Sequence, residues 1–267
     1  MIKKYHQEEL KFNGPLMKGN KGKDVEKVQA WLNLWKWLLS DWNYQLVIDG
    51  DFGPATEGTL TEWQKRMGCT DNLGALDQAT WEALTKPMYT AFLVTHESFN
   101  SVRDLIQEYL DQHLLSCPKE LGSNEGPWVR AYMGGNDGKQ WAWCMGLVQT
   151  IIDQAYSTVG RKFTDIMPLT YSCDVLGEHG LGNGALIRNA KLRKASSCDK
   201  LVKPGDIFLI VKTEHDWVHT GIITKVEGTV IHTVEGNTND EGSREGYEVC
   251  RRVRDIDTSN IDVFVIS

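Results

Sequence analysis

The chain has 267 residues, long enough for two domains, with hydrophobic and charged fractions of 41% and 24% that match an ordinary soluble globular protein. Its formal charge of −7 is spread without a basic stripe, and residues 1–87 hold 11 basic and 12 acidic side chains, so nucleic acid and anionic membrane surfaces are excluded as partners. Six cysteines at 69, 117, 144, 173, 198 and 250 form no CxxC pair or tight framework, which argues against zinc fingers and disulfide scaffolds; buried free thiols are the expectation, including Cys173 and Cys198, which can otherwise meet in space.

The first ten residues lack the apolar core of a secretory signal, and no apolar run is long enough to span a membrane. From Asp24 to Leu39 the apolar residues Val25, Val28, Leu32, Trp35 and Leu39 fall at three- and four-residue spacings, which predicts one buried helical stripe. A turn-rich stretch, Asp49-Gly50-Asp51-Phe52-Gly53-Pro54, precedes a second helix with Leu60, Trp63 and Met67 on one face. A short third helix, about Asp77 to Leu84, starts at a good N-cap in Asp77. These elements predict a small all-α three-helix domain over residues 1–87, followed by a linker at 88–99.

A helix is expected from Val102 to Leu115, with Leu105, Tyr109 and Leu110 or His113 inward, ending before Pro118. A polar loop then leads through Trp128–Tyr132 to a helix over Met145–Tyr156. Beyond Asp206 the pattern changes to short β-branched strands at 207–211, 220–226, 229–234 and 262–266. Helices first and strands second predict an α+β domain with an antiparallel sheet over residues 100–267.

Cys144 stands at the head of the 145–156 helix, where free backbone N–H groups stabilise a thiolate and supply oxyanion donors. A buried cysteine is more often a small hydrophobe, so position alone does not make it a nucleophile. Three histidines compete as its base. His232 lies mid-strand, His215 sits in a polar loop, and His219 opens a strand just before the small Gly221. Glu235 and Asn237 share strand parity, so either can orient an imidazole. Seven of the ten tryptophans cluster at 31–42 and 128–143; tryptophans suit sugar or peptide ligands, although large core fillers serve as well.

Lys18-Gly19-Asn20-Lys21-Gly22-Lys23-Asp24-Val25, Val28-Gln29, Asp49-Gly50-Asp51-Phe52-Gly53-Pro54-Ala55-Thr56, Trp63-Gln64 and Thr80-Trp81-Glu82-Ala83-Leu84 resemble the bacterial peptidoglycan-binding domain of wall hydrolases. One departure is Asp71-Asn72-Leu73-Gly74, where that family often repeats an Asp-Gly turn; Asn also tolerates left-handed turns. Asn124-Glu125-Gly126-Pro127-Trp128-Val129, Trp143-Cys144, Lys203-Pro204-Gly205-Asp206, His219-Thr220-Gly221 and Val234-Glu235-Gly236-Asn237-Thr238-Asn239 resemble the cysteine-, histidine-dependent amidohydrolase/peptidase (CHAP) domain. Met145 stands where that family usually has an aromatic residue.

The second resemblance implies a papain-like α+β fold and cleavage of an amide bond in peptidoglycan, either the muramoyl-L-alanine link or a peptide-stem bond. It implies Cys144 as nucleophile, His219 as base, Glu235 as its orienter and Asn237 as a fourth polar member. Trp143, Trp217, Asp49 and Phe52 are the expected substrate contacts. No cofactor is expected. No metal is either, since Gly134–Lys139 offers one carboxylate where some relatives carry a calcium loop. The expectation is a monomer made in the cytoplasm without a signal peptide, acting on peptidoglycan after lysis-related release or injection. A phage endolysin fits best. The rivals are a secretion-system wall-degrading effector, a wall-binding protein with a non-catalytic second domain, and a cytoplasmic amidase of small γ-glutamyl-type amides.

Overall fold

The computed structural model describes residues 3–195, 198–239 and 246–266. Met1, Ile2 and Ser267, the ends of the two expected domains, lie outside them. In chain order the helices are α1 (Lys3–Leu10), α2 (Lys23–Leu34), α3 (Pro54–Met67), α4 (Gln78–Leu93), α5 (Val102–Leu115), α6 (Pro127–Tyr132), α7 (Cys144–Thr158), α8 (Cys173–Asn183) and α9 (Asn189–Leu192). The strands are β1 (Leu186–Ile187), β2 (Ile207–Thr213), β3 (Asp216–Glu227), β4 (Val230–Thr238), β5 (Glu248–Asp255) and β6 (Ile261–Phe264). The chain forms two compact units: residues 1–94 with 116–139, and residues 95–115 with 140–267.

The first unit is helical. Val25, Val28 and Leu32 bury the expected stripe of α2, but the α-helix ends at Leu34 and tightens to a 3₁₀ turn over Trp35–Trp37. The indoles of Trp35 and Trp42 donate to the carbonyls of Leu84 (3.0 Å) and Leu32 (2.9 Å), which fixes that bend. Helix α3 begins at Pro54, where the missing N–H costs nothing, and ends at Gly68 with φ 73°. Because the helix stops there, Met67 is exposed rather than inward.

Two buried glutamines tether the loops. Gln29 Oε1 accepts the N–H groups of Asp49 (3.1 Å) and Gly50 (2.9 Å), and Gln64 Oε1 accepts that of Gly74 (2.8 Å). Asn72 takes φ 57°, the left-handed turn its residue type allows.

Asp77 caps α4 by accepting the Thr80 N–H at 2.8 Å. The helix runs through Pro87 to Leu93, so half of the segment expected to be a linker is helical. Burial of Met88, Ala91 and Phe92 outweighs the hydrogen bond that Pro87 removes. Helices α1 and α6 complete this unit. His6 stacks on Phe92 (centroids 4.6 Å apart), Phe92 meets Trp128 and Tyr132, and Trp128 meets Trp31. Arg130 grips both carboxylate oxygens of Glu9 at 2.7 and 2.9 Å and also Asp137 at 2.8 Å. The expected boundaries 1–87, 88–99 and 100–267 therefore give way to a division in which 116–139 belongs with the first unit.

The second unit is built on a six-stranded, wholly antiparallel sheet of order β1-β6-β2-β3-β4-β5. Helix α7 packs on the central strands β3 and β4, α8 packs on β3 and the β1/β6 edge, and α5 packs against α7. From Cys144 to Tyr156 every residue of α7 is buried, as a core helix requires. Leu192, Cys198, Val202, Phe208, Ile223, Ile231, Ile256, Ile261 and Val263 form a second apolar cluster. Buried Asp206 ties the ends of this unit together, accepting from Arg103 (2.8 Å), the Ile266 N–H (3.0 Å) and the Lys203 N–H (2.8 Å).

Candidate active site

Cys144 is the first residue of α7, with Trp143 as N-cap. The Met145 N–H points at its sulfur, a consequence of the unpaired donors in a first helical turn. The hydrogen bond from Cys173 lowers the thiol well below its ordinary range; burial opposes this, and neighbouring His219 reinforces it. Cys144 is therefore held toward thiolate in a site where it is only 5% exposed.

His219 lies on β3 and Glu235 on the adjacent β4. The His219 Nε2 is 2.8 Å from Glu235 Oε2, and its Nδ1 has no oxygen or nitrogen partner and is left to face the thiol. Burial alone pushes His219 down, but the Cys144 sulfur and the Glu235 carboxylate outweigh it and raise it to about 9. Glu235 is fully buried. Burial pushes its pKa up, yet the Arg254 guanidinium and His219 hold it down at about 2. Arg254 grips both carboxylate oxygens at 2.7 and 2.6 Å, and the Thr233 hydroxyl donates to Oε1 at 2.6 Å.

Two glycines make this approach possible. A Cβ at Gly221 would lie 2.8 Å from Glu235 Cγ, and one at Gly236 would lie 2.8 Å from the Trp143 ring. The other two histidines in contention are engaged elsewhere, His215 with Glu178 (2.6 Å) and His232 with Glu227 (2.8 Å). Cys144, His219 and Glu235 are thus brought together.

Asn237 is not brought to them. It sits in a register shift of β4 with φ 55°, so the parity expected from the sequence is broken, and among the described residues its side chain bonds neither His219 nor Glu235. The expected substrate contacts also change role. Phe52 and Trp143 are fully buried, and Trp217 is buried with its indole N–H on Asp262 at 3.0 Å, so none offers a face to a ligand. The Asp49 carboxylate closes its own turn by accepting from the Asp51 N–H (2.9 Å) and Gln29 (2.8 Å). These contacts lower Asp49 below its ordinary value, the Asp51 N–H most. Asp137, the carboxylate of the Gly134–Lys139 stretch, is committed to Arg130 and the Gly126 N–H.

Sequence reasoning missed Arg254, Thr233 and Cys173. Thr233 shares the face of Glu235 on one strand, a period-2 signal present in the sequence; the other two come from elements whose neighbours only the fold defines.

Residues 21–84, which span α2, α3 and the first part of α4, match the family model of a peptidoglycan binding domain. The helical N-terminal region thus carries a peptidoglycan-binding domain, with peptidoglycan as its partner. No curated protein and no solved structure matches the chain. Among the described residues no helix is long and apolar enough to cross a membrane.

Proposed function

We propose that the chain is a peptidoglycan hydrolase: the N-terminal domain holds it to the wall, and a CHAP-like, papain-type second unit cleaves an amide bond there by thiol acyl transfer. One observation carries this reading. A helix-head thiol faces the free nitrogen of a histidine whose other nitrogen rests on a buried, doubly clamped glutamate. A structural cysteine needs no such partner.

In this reading the Cys144 thiolate attacks the amide carbonyl, and the first-turn N–H groups of α7 receive the developing oxyanion. The His219 imidazolium gives its proton to the leaving amine as the C–N bond breaks, leaving an acyl thioester on Cys144. Neutral His219 then takes a proton from water. The hydroxide equivalent attacks the thioester, and the C–S bond breaks to release a carboxylate and restore the thiolate. Glu235 holds the ring in place throughout and balances its positive charge. The binding domain raises the local concentration of a polymeric substrate without sharing in the chemistry. A phage endolysin, released on lysis, suits this pairing best.

Clearing of purified sacculi by the full chain, against Cys144→Ala, tests the proposal. Clearing by the wild type alone, with new amine termini in the digest, is the expected result. Equal clearing by both proteins overturns the thiol mechanism, and no clearing with retained sacculus binding leaves a wall-binding protein and overturns the hydrolase.

A further inference from the structure

Cys173 opens α8, and the chemistry above makes no use of it. Its place is fixed from two sides. Gln149 of α7 accepts the Thr170 N–H at 2.7 Å, Thr170 Oγ1 accepts the Ser172 N–H at 3.0 Å, and Ser172 caps α8 through the Val175 N–H. Opposite, the Asp174 carboxylate accepts the backbone N–H of Trp217 at 2.6 Å, two residues before His219 on β3. The first turn of α8 is thus strapped to the helix that carries the thiol and to the strand that carries the base. In that place the Cys173 thiol is a close neighbour of the Cys144 sulfur, near enough for each to shift the other's titration. Both cysteines are free and buried, whereas Cys198 lies in the apolar cluster with Phe208 and Ile231.

We propose that Cys144 and Cys173 form a reversible oxidative modification site, in which Cys173 closes a disulfide onto Cys144 after hydrogen peroxide has oxidised it. The Cys144 sulfur attacks one peroxide oxygen; the S–O bond forms as the O–O bond breaks, and the departing hydroxide takes the imidazolium proton of His219 and leaves as water. The Cys173 sulfur then attacks the sulfenic sulfur. The S–S bond forms, the S–O bond breaks, and the Cys173 proton leaves with the oxygen as a second water. The peroxide is reduced by two electrons, one from each sulfur. The strapped first turn of α8 already keeps the attacking sulfur beside its target, and the thiolate character of Cys144 makes it the first of the pair to react. The disulfide stops Cys144 short of sulfinic acid, which thiols do not reverse, and an external dithiol restores the pair.

The test is a non-reducing peptide map of the full chain after hydrogen peroxide treatment and thiol blocking. It reads the covalent state directly, so it stands apart from whether the protein cuts amides. Expected in the wild type is a cross-linked peptide joining Cys144 to Cys173, with complete return of iodoacetamide labelling at both after dithiothreitol. In Cys173→Ser, with its fold checked by circular dichroism, Cys144 should pass to sulfinic acid and labelling should be lost for good. A wild type in which Cys144 becomes sulfinic acid without the cross-link, or links to another cysteine, overturns the proposal, and that map needs no variant.

Discussion

At Glu235 three donors converge on one buried carboxylate: a two-pronged guanidinium from Arg254, the Thr233 hydroxyl and the His219 ring. The arrangement gives the site its pH range. His219, at about 9 in the fold against an ordinary 6.5, carries its proton fully below 6.5 and loses it as pH rises through about 9. The thiolate–imidazolium pair should therefore persist through neutral pH and fail on the alkaline side. Glu235→Gln removes one support of the raised value, so the alkaline limb of the rate profile should move to lower pH and kcat/KM should fall at least ~100-fold. Iodoacetamide labelling of Cys144 across pH checks the same point without a substrate, and an unmoved limb would uncouple Glu235 from the ring. Residue types and order made Cys144, His219 and Glu235 candidates, but three histidines stayed in contention until the resemblance to the CHAP domain singled out this set. Arg254 was not legible. Nothing in Arg251-Arg252-Val253-Arg254 marks a strand, and only the pairing of β5 with β4 carries one of these charges to Glu235.

The strands β3 and β4 meet around Gly221, where a methyl group would sit 2.7 Å from the Val234 carbonyl oxygen and 2.8 Å from both Glu235 Cγ and Phe208 Cε1. Backbone cannot yield there as a flexible side-chain tip would. Gly221→Ala should cost about 1–3 kcal/mol in a urea melt, as overpacking does, and should lower activity further by moving Glu235. A melt unchanged within error would show that β4 shifts freely. The sequence announced that glycine's role, along with the bounds of α5 and the start of α4, because those signals are local: a close-approach glycine beside the base, a helical stripe, an N-cap. It did not announce the second half of α4, where Pro87 argues for a stop and buried Met88 and Phe92 argue against one. Tertiary burial decides that contest. Strand β5 was missed for the opposite reason: its alternation is charged, and an edge strand earns its place through its partner.

The chain visits each compact unit twice, with α5 given to the second unit before 116–139 completes the first. No local pattern predicts this, since the apolar face of α6 would serve either unit. Truncation outcomes follow. The fragment 95–267 should aggregate, because it carries Trp128, Val129 and Tyr132 of α6 without Trp31 and Phe92 to cover them. A version with 116–139 replaced by a short Gly/Ser linker should stay soluble and keep the labelling rate of Cys144. Light scattering and iodoacetamide kinetics on the pair decide the matter; a well-behaved 95–267 fragment would mean that α6 belongs to neither unit energetically.

The same threading makes the first unit a natural split protein. A single protease nick between Val94 and Thr95 severs the backbone, yet α6 on one piece remains seated among α1, α2 and α4 on the other. The two pieces should co-elute from a sizing column and part only in denaturant. Expressed separately, residues 1–94 should find 95–267 and rescue its solubility by complementation. One such cut would leave the peptidoglycan-binding domain and the thiol unit still travelling together.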